Sequence, residues 1–177
     1  MDRTKVVLVD NNDNPLGEME KLLAHQQGQL HRAFSVFVFD NRGRLLLQQR
    51  ADHKYHGAGL WTNTCCSHPQ WGEDVALSAL ERLKYEMGMC CELKFSHSFI
   101  YQTPVENGLI ENEYDYVYVG DANEDPVINP MEVQDFKWMP IDELLLDIRK
   151  KPDIYTYWFK VALPLVIADL KEGGDNL

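Results

Sequence analysis

Six residues stand out because their side chains can bind a metal ion or transfer a proton. They are His25, His31, Cys66, His68, Glu111 and Glu113. Residues 109–119 have the pattern of a β-strand, on which alternate side chains share a face, so Glu111 and Glu113 are predicted to point the same way. Two adjacent carboxylates repel each other unless they share a proton or a cation. Together with the three imidazoles they would form a nitrogen and oxygen site for a divalent cation such as Mn²⁺ or Zn²⁺.

Each of these features also has a structural explanation. The chain contains six histidines, and a single histidine is more often a surface or core residue than a ligand. A Glu-x-Glu pair on a strand is more often part of a solvated face. The prediction of a metal site therefore rests on the combination and not on any one residue.

The order of these residues resembles type I isopentenyl diphosphate isomerase. His25 and His31 are followed by residues 62–69, Thr-Asn-Thr-Cys-Cys-Ser-His-Pro, and then by Glu111-Asn112-Glu113. The likeness extends over residues 20–158. It implies a Nudix-like α/β (α+β) fold, in which a mixed β-sheet is sandwiched between α-helices. It also implies an isomerase of isoprenoid biosynthesis that interconverts isopentenyl and dimethylallyl diphosphate through a tertiary carbocation.

The resemblance assigns roles to four residues at the reacting carbons. Cys66 and Glu113 would be the acid and base on opposite sides of the substrate, because moving the double bond requires one proton addition and one removal. Tyr101 would hydrogen-bond to Glu113, and the ring of Trp158 would stabilise the cation through its π-face. The alternatives are a strand aromatic for Tyr101 and a core residue for Trp158.

The resemblance also assigns the residues that bind cations and phosphate. One Mn²⁺ or Zn²⁺ per chain would be held by His25, His31, His68, Glu111 and Glu113. The substrate diphosphate would be bound by Lys21, Arg50, Lys54 and Arg82, and Glu86 would help to hold a bridging Mg²⁺. Because Arg82 and Glu86 are four residues apart on a predicted helix, an intrahelical ion pair is the alternative. The remaining histidines, His53, His56 and His97, match no ligand position and are predicted to be surface or loop residues.

A degraded helix signature separates isomerisation from hydrolysis. Of the Nudix hydrolase signature the chain keeps Glu73, Glu86 and Gly88. The first glycine is replaced by Ser67, and residues 81–86, Glu-Arg-Leu-Lys-Tyr-Glu, replace the acidic core, so most magnesium-binding glutamates of hydrolysis are missing. The isomerase family usually has glycine at the position of Ser67, and serine disfavours positive φ. A hydrolase of a nucleoside diphosphate derivative and a non-catalytic, metal-stabilised binding module are the competing hypotheses.

Length and composition fit one domain over residues 1–177, with 45% apolar residues. The formal charge of −11 argues against a nucleic acid or an acidic membrane as partner, and it requires local cations at any phosphate site. No apolar stretch approaches the ~20 residues of a membrane span, and no signal peptide is recognised. Four cysteines in two vicinal pairs predict reduced thiols and a cytoplasmic location. Both a monomer and a homodimer remain open.

Periodicity predicts the main elements. Strands are expected at 5–9, 33–39, 44–49, 93–101, 110–119 and 133–139, and three helices at 73–87, from Pro140 onward and at about 153–171. Ala76, Leu80, Leu83 and Met87 form the predicted apolar stripe of the first helix, with Gly88 as its C-cap. Pro164 is expected to kink or split the last helix. On a strand Cys65 and Cys66 must face opposite ways, and Cys90 and Cys91 are predicted to be small buried hydrophobic residues.

Overall fold

A mixed β-sheet with helices on both faces forms the architecture, as predicted. The computed structural model describes residues 3–173. Its strands are β1 (Lys5–Val9), β2 (Pro15–Glu20), β3 (His31–Phe39), β4 (Arg44–Arg50), β5 (Trp61–Thr62), β6 (Cys65–Ser67), β7 (Leu93–Pro104), β8 (Ile110–Asp121) and β9 (Val133–Pro140). Its helices are α1 (Lys21–Gln27), α2 (Val75–Met87), α3 (Ile141–Lys150) and α4 (Tyr157–Gly173).

The register of strand β3 with its neighbours assembles the polar residues. β3 runs parallel to β8, which places His31 beside Glu113. It runs antiparallel to β6, which places Ser35 beside Cys66. β7 runs antiparallel to β8 and pairs Tyr101 with Glu113. Residues far apart in sequence therefore meet on neighbouring strands, and the turn at residues 40–43 links this group to β4, β5 and β9.

Alternating side chains of β3 supply the two cores. Phe34 and Val36 belong to the cluster that includes the buried face of α2, whereas Phe37 packs with residues of α3 and α4. Fully burying an aliphatic or aromatic side chain of this size contributes about 1.5–3 kcal/mol. Cys65 is fully buried on the α2 side, while Cys66 packs against the other cluster. The prediction that these two cysteines face opposite ways is confirmed.

Helix α2 differs from the predicted stripe because one side of it faces polar groups. The side chain of Asp74 caps the helix by accepting from the backbone N–H of Leu77 at 3.0 Å, and Gly88 ends it with φ 65°, as predicted. The fully buried apolar residues are Ala79, Leu83 and Met87, whereas Ala76 and Leu80 are only partly buried. Arg82 and Glu86 are also buried. Apolar periodicity alone does not reveal that this helix buries an ion pair.

Four expectations are corrected by the fold. The described residues contain a further helix, α1, and this seven-residue element is too short to form without tertiary packing. Pro164 lies inside α4, which continues through it, so the proline does not split the helix. Pro140 precedes α3 as its N-cap instead of being its first residue. Cys90 is exposed and Cys91 only half-buried, so they are not core residues.

None of the helices within residues 3–173 is both long enough and apolar enough to cross a bilayer. All four cysteines are free.

Candidate active site

A cleft of about 430 Å³ brings most of the predicted site residues together. Its lining includes the four residues expected at the reacting carbons, the four basic residues expected at the diphosphate and three further residues expected to bind metal. These are Cys66, Tyr101, Glu113 and Trp158; Lys21, Arg50, Lys54 and Arg82; and His68, Glu86 and Glu111. His25 and His31 are fully buried and lie beside the glutamates of this lining.

The three histidines converge on the two glutamates of β8. The Nε2 atom of His25, in α1, lies 3.3 Å from Oε2 of Glu111. The Nε2 atoms of His31 and His68 lie 3.5 Å and 2.8 Å from Oε1 of Glu113. Such a set of imidazole and carboxylate donors suits a divalent first-row cation.

The backbone holds two of these imidazoles in the orientation that a metal ligand needs. Nδ1–H of His25 donates to the carbonyl of Lys21 at 2.6 Å, and Nδ1–H of His31 donates to the carbonyl of Gln29 at 2.8 Å. The Nε2 atom of each ring then faces the glutamates, where it is placed to ligate a cation. Both Nε2 atoms, and Oε2 of Glu111, are buried without a hydrogen-bond partner. Unpaired buried polar atoms cost about 1–3 kcal/mol each, so a bound cation would remove a real penalty. The residues fit a divalent metal site.

The electrostatics of the cluster favour a positive charge at its centre. Burial lowers the pKa of His68 to about 4, so this imidazole is neutral near pH 7 and can act as a ligand. Burial alone would raise the pKa of Glu113, but the neighbouring imidazoles of His31 and His68 hold it well below its usual range. Burial lowers the pKa of His25, yet the neighbouring Glu111 outweighs it and raises the pKa. Two ionised carboxylates thus compete for protons or for a cation.

A thiol and a carboxylate of opposite protonation state share the cleft. The Tyr101 hydroxyl donates to Oε2 of Glu113 at 2.5 Å, which fixes the carboxylate. Burial raises the pKa of Cys66 to about 12, although the Arg50 guanidinium opposes this with Nη1 at 3.9 Å from Sγ. The thiol therefore carries its proton at neutral pH while Glu113 is ionised. One group can give a proton and the other can take one.

The ring of Trp158 is already in contact with a cation. It is 6% exposed, and the guanidinium carbon of Arg50 lies 5.2 Å from the ring centroid. Gly57 makes this approach of the loop before β5 feasible, because it has φ +59° and a Cβ there would lie 3.1 Å from Nε of Arg50. Only glycine adopts that conformation at little cost.

The basic end of the cleft balances four cations against two carboxylates. Glu132 forms ion pairs with Lys54 and, at 3.3 Å, with Arg82. Glu86 accepts from Arg82 at 2.6 Å and from Nε2 of Gln48 at 3.1 Å, so the intrahelical pair that was the alternative to a magnesium ligand is present. Burial, and then repulsion from the neighbouring Lys54, lower the pKa of Lys21. Excess positive charge is concentrated here in a chain that is negative as a whole.

Two histidines are less exposed than sequence reasoning expected. His56 lies in the loop at residues 51–60, but it is 7% exposed and its Nε2 contacts Oε1 of Glu111. His97 is in strand β7, half-buried, with Nδ1 bonded to Asp169 at 2.8 Å. His53 is exposed in the loop, as predicted. No spacing rule identifies His56, because its position depends on how this loop folds back over β8.

Two further residues complete the description of the lining. Glu132, just before β9, was not predicted, and its surroundings in sequence carry no motif. Ser67 adopts no positive φ, since Asp13 and Asn107 are the non-glycine residues with positive φ in the described part of the chain. The replacement of glycine by serine at this position therefore causes no backbone strain.

Comparison with known proteins gives the class first. Residues 29–159 match the model of the NUDIX domain. Among solved structures, a MutT NUDIX hydrolase from Burkholderia pseudomallei superposes with a TM-score of 0.63 at 22% identity, covering 78% of this chain and 98% of that one. A protein from Deinococcus radiodurans superposes with a TM-score of 0.68 at 18% identity, covering 82% and 89%. At these identities the likeness shows the fold alone.

Curated relatives narrow the class. Isopentenyl-diphosphate Delta-isomerase 2 of Aromatoleum aromaticum is 51% identical over 164 residues, which cover 93% of this chain and 87% of the relative. The protein of the same name from Photorhabdus laumondii is 54% identical over 155 residues, 88% of each chain. The chain belongs to the isopentenyl-diphosphate Delta-isomerase family of NUDIX-domain proteins.

Proposed function

We propose that this protein interconverts isopentenyl and dimethylallyl diphosphate as an enzyme of isoprenoid biosynthesis. The observation that carries the proposal is the presence of Cys66 and Glu113 in one cleft, beside a cluster of histidines and glutamates. Hydrolysis of a diphosphate has no use for a buried thiol. Close relatives that bear the isomerase name support the same conclusion.

The reaction requires protonation of an unactivated alkene at one carbon and loss of a proton at another. Cys66 and Glu113 perform these two transfers, and their roles exchange between the forward and reverse directions. Tyr101 holds the carboxylate of Glu113 in place, and Trp158 presents its π-face to the tertiary carbocation between the two transfers. Tyr101, Glu113 and Trp158 are each less than one-tenth exposed. Exclusion of water protects the cation from capture.

Two kinds of cation are proposed. One Mn²⁺ or Zn²⁺ is held by His25, His31, His68, Glu111 and Glu113. When bound, this ion would neutralise the charge of the paired carboxylates of Glu111 and Glu113. Glu86 would help to hold a Mg²⁺ at the substrate diphosphate.

The basic residues bind the diphosphate at the other end of the cleft. Local positive charge attracts the diphosphate, although the net charge of the chain is −11. It comes from Lys21, Arg50, Lys54 and Arg82. Arg82 at present pairs with Glu86. A diphosphate competes for this guanidinium in a bidentate contact, which frees the Glu86 carboxylate for Mg²⁺. We propose that all of these groups belong to one domain. The cytoplasmic location remains a prediction, which is based on the reduced thiols.

The direct test is incubation of the metal-loaded protein with isopentenyl diphosphate and Mg²⁺, followed by chromatography for the dimethylallyl isomer. The isomer should form without release of phosphate, and the Cys66→Ala variant should form none. Release of phosphate from a nucleoside diphosphate derivative, without isomer, would favour the hydrolase hypothesis. Metal-dependent folding with neither product would favour the binding module.

A further inference from the structure

A fourth imidazole lies beside the proposed metal site. His56 comes from the loop at residues 51–60, is 7% exposed, and has its ring centroid 5.4 Å from that of His25. Its Nε2 atom contacts Oε1 of Glu111. One ligand atom each from His25, His56 and Glu111 lie within 4.8 Å of one another. His25 also belongs to the group formed by His31, His68 and Glu113, so the two groups are continuous.

The number of available donor atoms leaves room for His56. Oε2 of Glu113 accepts the Tyr101 hydroxyl, whereas Oε1 faces His31 and His68, so Oε1 is the oxygen that this glutamate presents to the imidazole cluster. If each of the five expected residues gave one atom, a six-coordinate ion such as Mn²⁺ would have one position left. Nε2 of His56 is the further nitrogen donor at Glu111 and supplies the sixth.

We propose that His56 is a further ligand of the divalent cation, an assignment that rests on the proposed metal site. It has a consequence for the diphosphate end of the cleft. Arg50 donates from Nη2 to the carbonyl of His56 at 3.1 Å, and from Nε to the carbonyl of Gly57 at 3.1 Å. Lys54 belongs to the same loop. The cation therefore fixes the loop at residues 51–60 over the cleft and, through it, the two basic side chains that meet the diphosphate.

The test compares two histidines of one loop. Metal-free protein is titrated with Mn²⁺, and the free ion is followed by electron paramagnetic resonance. His56→Ala should weaken Mn²⁺ binding by about 10- to 100-fold, the loss typical of groups around a metal site. His53→Ala removes an exposed imidazole three residues earlier and should bind as the unmodified protein does. His56→Gln keeps most of the buried volume but removes the imidazole, so it should also bind Mn²⁺ more weakly. Full affinity in this variant would show that the loss in His56→Ala is a packing defect.

X-ray absorption at the manganese edge then counts the bound imidazoles. We expect four in the unmodified protein and in His53→Ala, and three in His56→Ala. Unchanged affinity in His56→Ala would overturn the proposal. Weaker binding in His56→Ala, together with three bound imidazoles in every protein including the unmodified one, would also overturn it. His56 would then be a residue that positions Glu111. Failure of the unmodified protein to bind Mn²⁺ would instead refute the metal site on which the proposal rests.

Discussion

The hydrogen bond from Tyr101 to Glu113 allows the proton-transfer role of Glu113 to be separated from its metal-binding role. The two functions use different oxygens, because the Tyr101 hydroxyl meets Oε2 while His31 and His68 meet Oε1. Tyr101→Phe removes the hydroxyl and leaves the ring. We expect turnover to fall while the metal content stays the same.

The magnitude follows from the type of bond. A hydrogen bond to a charged group is worth about 1.5–3 kcal/mol, and this one is short and buried, at 2.5 Å between residues that are 6% and 7% exposed. Since 1.36 kcal/mol corresponds to a factor of ten, kcat should decrease by about 10- to 150-fold. The variant is assayed by isomer formation, and its metal is measured by elemental analysis.

Tyr155 provides a matched control. Its hydroxyl donates to Asp147 at 2.6 Å, and the residue is 2% exposed, but it is not part of the cleft lining. Tyr155→Phe should lose stability and keep its turnover per folded molecule. An equal loss of turnover in the two variants would refute the reasoning, because the loss in Tyr101→Phe would then be a packing effect. Loss of metal in Tyr101→Phe would show that Oε2 belongs to the metal site.

Three further predictions concern the thiol, the aromatic ring and the metal. Cys66→Ala should lower turnover by at least ~10²–10⁴-fold, since it removes a proton-transfer group. Cys65→Ala, on the opposite face, should remain active. Similar losses in both variants would show that the wrong cysteine is assigned. Turnover should decrease from the unmodified protein to Trp158→Phe and further to Trp158→Leu. A desolvated cation–π contact of ~0.5–2 kcal/mol corresponds to about 2- to 30-fold in turnover. Equal turnover in all three folded proteins would make Trp158 a core residue. His68→Ala should lose bound Mn²⁺ or Zn²⁺ on elemental analysis, and full metal content would remove His68 from the ligand set.

Local sequence patterns predicted which faces several site residues occupy, whereas the roles of those residues were implied by the family resemblance. Strand alternation placed Glu111 and Glu113 on one face and separated Cys65 from Cys66, and both expectations agree with the structure. Alternation is a property of the extended backbone itself, so it needs no knowledge of neighbouring elements. The helix cap at Gly88 followed in the same way from the need for a left-handed residue.

The environment of charged residues did not follow from these patterns. The four-residue spacing of Arg82 and Glu86 was compatible both with an ion pair and with separate roles at a diphosphate. The structure buries the pair against Gln48 and Glu132, residues on or near other strands. Which carboxylate meets which cation depends on the packing of α2 against β4 and the segment before β9, and sequence spacing carries no such information.

The types of the reacting residues, and the faces on which they lie, are determined by the sequence, because local backbone geometry repeats over two or four residues. The tertiary structure decides which distant groups become neighbours. Helix α1 has only seven residues, and the loop that carries His56 has no periodicity, so both are positioned by the groups that they contact. For His56 that group is Glu111, which follows it by more than fifty residues, and the parallel pairing of β3 with β8 sets the place where they meet.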